Sequence, residues 1–232
     1  MAKKNRSQNM ARKLLINDYA TSIFAEQFRS IRANINFSLK DKGLTSLLVT
    51  SSSVGEGKST VAANIAISFA QEGKNVLLVD ADLRKPTMHV TFNHFISPGL
   101  TNLFISDWQF EDVVKESGIE GLKLITSGPI PSNPAELLSS KSMNRFMKDM
   151  KGKFDMIIFD APPLLSVADA QILAEKCEGT ILVIRAGTTE KKNLRKAKEV
   201  LTNSKATVIG AILNHYKLEK NHYYYDYYAD KE

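Results

Sequence analysis

No run of eighteen apolar residues occurs in the chain, so a membrane-spanning helix is not expected. The basic start also lacks the apolar stretch of a signal peptide. A single cysteine, Cys177, leaves no partner for an internal disulfide and suits the reducing cytosol. Aromatic residues are missing from both basic clusters. One comprises Lys3, Lys4, Arg6, Arg12 and Lys13; the other comprises Lys191, Lys192, Arg195, Lys196 and Lys198. Without interleaved stacking platforms a nucleic-acid partner is not expected, and the net charge of +6 is modest. These clusters read as a solvated tail and a solvated helix face.

What is present is an ordinary globular balance, 43% hydrophobic and 24% charged over 232 residues, enough for one α/β domain with a sizeable core. Apolar runs with strand character lie at Leu44–Thr50, Asn75–Val79, Leu122–Thr126, Met156–Phe159, Thr180–Ile184 and Thr207–Leu213. Helical patterns lie between them, at Ser59–Gln71, Pro134–Met150, Ala168–Glu175 and Thr189–Asn203, and an amphipathic helix, about Ile23 to Leu39, precedes them. Thr87–Gly121 is less regular and reads as a short helical insertion. The alternation predicts a mostly parallel sheet flanked by helices, with ligands at the carboxyl ends of the strands. The expected division is a domain over 1–215 and a mobile tail over 216–232.

The most informative segment follows the first predicted strand. Ser51-Ser52-Ser53-Val54-Gly55-Glu56-Gly57-Lys58-Ser59-Thr60 opens a helical run and reads as a phosphate-binding loop. Its glycines let successive N–H groups point inward, and the helix adds its positive N-terminal end. Lys58 supplies a cation for the β- and γ-phosphates, and Ser59 or Thr60 supplies a hydroxyl for Mg²⁺. The general pattern GxxxxGK[ST] wants glycine at position 52, where this chain has Ser52. A nucleotide such as ATP is therefore expected on residues 53–60.

Three carboxylates stand at the ends of predicted strands: Asp80 and Asp82 after Val76–Val79, and Asp160 after Met156–Phe159. A buried strand-end acid is costly unless it is paired or holds a cation. Beside a phosphate loop, Asp80 and Asp160 are candidates for Mg²⁺ together with Ser59. Asp80 and Asp82 share one side of an extended backbone, so either could serve the incoming nucleophile. The competing reading of each acid is a helix cap or an ion pair with Arg84 or Lys85.

The runs Ser53 to Thr60, Val79-Asp80-Ala81-Asp82-Leu83-Arg84-Lys85-Pro86 and Phe159-Asp160-Ala161-Pro162-Pro163 resemble those of the bacterial tyrosine kinases of capsule and exopolysaccharide systems. The likeness covers nearly the whole chain and is narrowest to the separate cytoplasmic kinase subunit of Gram-positive bacteria. It implies a P-loop fold of the partitioning-ATPase kind that transfers phosphate from Mg²⁺-ATP to tyrosine. Lys58 would be catalytic, and Asp80 or Asp82 would act as the base. No HRD or DFG triplet of the eukaryotic kinases is present. Asn214, after the last predicted strand, is a candidate adenine contact by position.

Two further segments gain a meaning from the resemblance. Glu26, Arg29 and Arg32 form an ExxRxxR pattern on one helix face. By itself this is an ion-pair stripe; the resemblance implies a subunit interface in a ring-shaped homo-oligomer. Tyr223, Tyr224, Tyr225, Tyr227 and Tyr228 fit no strand or helix period and read by themselves as a patch for a partner. The resemblance implies phosphoacceptors, modified in trans. It further implies a membrane-bound activator of the polysaccharide co-polymerase kind, a cognate tyrosine phosphatase and protein substrates of polymer synthesis. The expected location is the cytosol, with recruitment to the inner face of the membrane. Two rivals remain. Chromosome- and septum-partitioning ATPases carry a signature lysine where this chain has Ser53. A nucleotide-sensing scaffold for polymer export would bind without phosphorylating tyrosine.

Overall fold

The structure, a computed structural model, describes residues 14, 16, 22–38, 43–106 and 108–217. Its centre is a seven-stranded sheet, with strands β1 (Ser46–Ser51), β2 (Val76–Asp80), β3 (Val114–Glu116), β4 (Leu122–Ile125), β5 (Met156–Asp160), β6 (Gly179–Arg185) and β7 (Val208–Asn214). The order across the sheet is β3-β4-β2-β5-β1-β6-β7. All pairs are parallel except β3 with β4. β1, β2 and β5 are buried throughout, which is why they read as unbroken apolar runs rather than alternating ones.

Helices cover both faces. On one side lie α1 (Ile23–Ser38) and α2 (Lys58–Ala70), packed on each other and on the sheet. Eleven of the thirteen residues of α2 are buried, so this helix carries small and apolar residues all round instead of a stripe. Between β2 and β3 come the short α3 (Met88–Thr91), α4 (Leu100–Ile105) and α5 (Phe110–Val113). The opposite face is built from α6 (Pro134–Ser139), α7 (Lys141–Lys151), α8 (Asp169–Lys176) and α9 (Lys191–Asn203). Among the described residues no helix is long and apolar enough to cross a membrane.

The sheet and its order of alternation match expectation; two local readings do not. Pro134–Met150 is two helices. Ser140 takes extended backbone (φ −64°, ψ 161°), and its hydroxyl accepts the Met143 amide as the cap of α7. A serine inside an apolar period looks helical in sequence, yet its side chain competes for backbone donors. The Thr87–Gly121 segment holds its three short helices and also β3, a three-residue edge strand with no fully buried position. So short a strand leaves no period to read.

Candidate active site

The loop after β1 turns back on two glycines with positive φ, Gly55 at 83° and Gly57 at 94°. Gly57 is required twice over. A Cβ there would also sit 2.0 Å from Asn214 Nδ2. The first bond of α2 runs from the Val61 amide to the Gly57 carbonyl, at 3.0 Å. The amides of Lys58, Ser59 and Thr60 are thus first-turn donors that no intrahelical carbonyl can reach.

Lys58 is the hub of the side chains. Its Nζ lies 2.9 Å from Asp82 Oδ2, 3.3 Å from Asp160 Oδ1 and 3.3 Å from Ser59 Oγ. Burial works against the ammonium, but Asp160, Asp82 and Asp80 outweigh it and hold its pKa above the ordinary value. Asp80 and Asp160 are register partners on β2 and β5, and both are fully buried. Burial, and then the proximity of Asp160, push Asp80 up to about 7, while the Met88 amide and Lys58 pull the other way. Asp160 is likewise raised by burial, opposed by Lys58 and by the Ser59 hydroxyl.

The acids are not interchangeable. β2 ends at Asp80, so the extended backbone that would align Asp80 with Asp82 does not continue. Asp80 Oδ2 accepts the amides of Thr87 and Met88 at 3.0 and 2.9 Å, capping α3. Asp82 reaches Lys58 with one oxygen and accepts the Lys85 amide with the other, at 3.0 Å. The cap reading therefore holds for one oxygen of Asp80, whereas Arg84 pairs with neither acid. It makes a bidentate bond to buried Asp169 in the first turn of α8, at 2.8 and 3.0 Å. That partner lies 85 residues away and had no motif to flag it.

Two buried oxygens, Asp80 Oδ1 and Asp160 Oδ2, have no hydrogen-bond partner. Lys58 brings one positive charge to a cluster of three carboxyl groups, which leaves room for a divalent cation, and Ser59 adds a neutral oxygen. The donor set therefore fits Mg²⁺, a hard cation that takes oxygen ligands. Among the described residues no cluster of three His, Cys, Asp or Glu side chains forms a metal cage by itself.

The side chain of Glu56 has a role that motif reading did not assign. It is buried, at 3% exposure, and folds back inside the loop. It accepts the Ser52 hydroxyl at 2.8 Å, the Ser53 amide at 2.9 Å and the Thr189 hydroxyl at 2.5 Å. The Ser53 amide is thus directed to Glu56 rather than to the phosphate position expected for it. Thr189 in turn accepts the Arg185 amide at 2.9 Å, and Arg185 Nη1 donates to the Gly55 carbonyl at 3.0 Å. Asn214 Nδ2 donates to the Glu56 carbonyl at 2.9 Å. The residue expected at an adenine ring is therefore also a strut of the loop. Val54, at its tip, is 71% exposed.

The ExxRxxR residues lie away from this centre. Glu26 and Arg29 form an ion pair on α1. Arg32 faces inward: Nη1 donates to the Ser68 carbonyl at 2.5 Å, and Nε lies 3.3 Å from Glu72. The tail tyrosines Tyr223, Tyr224, Tyr225, Tyr227 and Tyr228 lie outside the described residues, as does the basic arm of residues 1–13.

A parallel α/β sheet with a glycine loop, a following helix and strand-end acids defines a P-loop nucleotide-binding protein. The family described as AAA domain matches residues 47–194. The chain is 48% identical to "Tyrosine-protein kinase YwqD" of Bacillus subtilis (strain 168), over 99% of this chain and 97% of that one. It is similar to the structure titled "Crystal structure of the chimerical protein CapA2B2", with a TM-score of 0.86 and 34% identity over 90% of this chain and 93% of the other. A more distant likeness is to the septum site-determining protein MinD complexed with Mg-ADP from Pyrococcus horikoshii. There the TM-score is 0.64 and the identity 25%, over 74% of this chain and 70% of the other. The chain belongs to the bacterial tyrosine-protein kinases.

Proposed function

We propose that the chain moves the γ-phosphoryl group of ATP to tyrosines 223–228 of another copy, and that this reaction regulates capsular or exopolysaccharide synthesis and export. The observation that carries the reading is Lys58 held between Asp82 and Asp160 beside Ser59, with two buried carboxylate oxygens unpartnered. The first-turn amides of α2 and Lys58 would bind the phosphates, as an anion at a helix N-terminus requires. Lys58 would leave its acids for the transferring group and offset its charge. Ser59, Asp80 and Asp160 would hold Mg²⁺, which supplies Lewis-acid stabilisation of the phosphate oxygens. Asp80 or Asp82 would take the phenolic proton as the oxygen–phosphorus bond forms, with ADP as the leaving group. A phenol of pKa near ~10 gains from such a base at neutral pH. Asn214 would border the adenine.

Assembly follows the same reading: a ring of copies built through Glu26, Arg29 and Arg32, recruited to the inner face of the membrane by a membrane-bound activator. A tyrosine phosphatase would reverse the modification, and proteins of polymer synthesis would be further substrates. Accumulating phosphates add about −1.5 to −2 charges each and would drive the tail from an acidic site.

The test is incubation with Mg²⁺-ATP and the activator's cytoplasmic segment, followed by mass spectrometry of the C-terminal peptide, beside Lys58→Met. Phosphate on tyrosines 223–228 is expected in the parent chain and not in the variant. ATP turnover with an unmodified tail, activator present, would overturn the reading in favour of a partitioning-type ATPase or scaffold.

A further inference from the structure

The outer edge of the sheet is incompletely covered. Between α9 and β7 runs a groove of about 690 Å³. Leu182, Ile184 and Val208 contribute to its apolar lining; Arg195, Lys198 and Lys205 contribute cations. The space is there because β7 carries Gly210 and Ala211 at its middle, where a Cβ on Gly210 would meet nothing within 4 Å. Beside it Val208 and Leu213 stay 47% and 53% exposed. None of the three cations has an ion-pair partner among the described residues. An apolar trough edged by unpaired cations fits a ligand that is both aromatic and acidic.

The chain supplies such a segment next to it. Residues 218–232 hold five tyrosines and four acids, Glu219, Asp226, Asp230 and Glu232, against two lysines. They follow β7 directly, after Lys217. Fifteen residues can span up to about 50 Å, and the strand edge from Leu213 back to Val208 is roughly 17 Å long. The other undescribed terminus is a poorer occupant: residues 1–13 carry five cations and no acid, which the rim would repel. A second copy placed groove to groove would oppose like charges.

We propose that the groove between α9 and β7 is a docking site for the chain's own residues 218–232, with tyrosines on the apolar floor and acids against Arg195, Lys198 and Lys205. A tail lying there is held away from any active site. Each added phosphate, about −1.5 to −2 charges, strengthens its contact with the rim. The groove would then retain the modified tail. This goes beyond the kinase reading, and its test requires no phosphoryl transfer.

The experiment is hydrogen exchange read by mass spectrometry on full-length, phosphate-free chain. Three forms are compared: the parent, Arg195→Glu/Lys198→Glu, and a form with serine at all five tail tyrosines. The expected result is that amides of residues 207–213 exchange at least about fivefold faster in both variants than in the parent, with the central strands unchanged. The tail variant leaves the domain's own residues intact, so it keeps the test valid if charge reversal disturbs α9. Equal protection in the parent and the tail variant overturns the proposal. Protection that survives in the tail variant and fades on dilution shows a second copy on the groove, and overturns it equally.

Discussion

At the scale of single residues the site holds more carboxylate than its one lysine can satisfy, and that sets a pH dependence. Asp80 is raised from 3.8 to about 7 by burial and by Asp160. The unfolded chain therefore gives up this proton at lower pH than the folded one. Between those values the folded state binds more protons, so stability falls as pH rises from about 4 through 7 and levels off above it. The loss from this group is at most on the order of 4 kcal/mol. Asp80→Asn removes the charge, so its urea midpoint should vary less between pH 5 and 8 than the parent's. Mg²⁺ should raise the parent's midpoint more at pH 8 than at pH 5. Parallel pH curves for the two proteins would refute this account. The candidate acids were legible as residues, since Asp80 and Asp160 end strands of unbroken apolar character and Asp82 follows two residues on. Their separate partners were not: Asp80 caps α3 and Asp82 holds Lys58 because the chain leaves the strand between them.

At the scale of elements, the phosphate loop is tied to β6 by Arg185 on Gly55, and to the β6–α9 connection and β7 by Thr189 and Asn214 on Glu56. Three donors converge on its carboxylate: Ser52 Oγ, the Ser53 amide and Thr189 Oγ1. This offers a physical account of serine at position 52, where the general pattern has glycine: its hydroxyl has a buried acceptor. Glu56→Ala leaves those donors unpaired, a loss of about 1–3 kcal/mol for each buried polar group left so. The melting temperature should drop by several degrees. KM for ATP should rise more than kcat falls, because the loop is misplaced while Lys58 and the acids remain. An unchanged KM would show that the loop keeps its shape without Glu56. Motif spacing revealed the loop because glycines and lysine are local in sequence. It could not reveal Thr189 or Arg185, whose contacts to the loop span 133 and 130 residues. The same limit hid the Arg84–Asp169 pair, which fixes the β2–α3 connection against α8.

For the whole molecule, the order of strands and helices was readable because buried parallel strands differ sharply from the polar connections between them. The packing of α1 was not, because amphipathicity fixes a face but not what that face meets. Arg32 illustrates the consequence. It lies in the same ExxRxxR stripe as Glu26 and Arg29, yet it binds the Ser68 carbonyl and approaches Glu72 at the C-terminal end of α2. A cation there also meets the negative end of the helix dipole. The stripe thus divides into an inward clamp and a Glu26–Arg29 pair whose side chains are about one-third exposed. If the proposed ring uses this stripe, its two parts should respond differently. Glu26→Ala/Arg29→Ala should lower the particle mass measured by light scattering towards that of one protomer, with little change in melting temperature. Arg32→Ala should instead lower the melting temperature, by a loss of about 1–2 kcal/mol for a charged hydrogen bond with partial exposure. Unchanged mass in the double variant, with the parent assembled, would move the interface off α1. The clamp would then be the only role of the stripe that the structure supports.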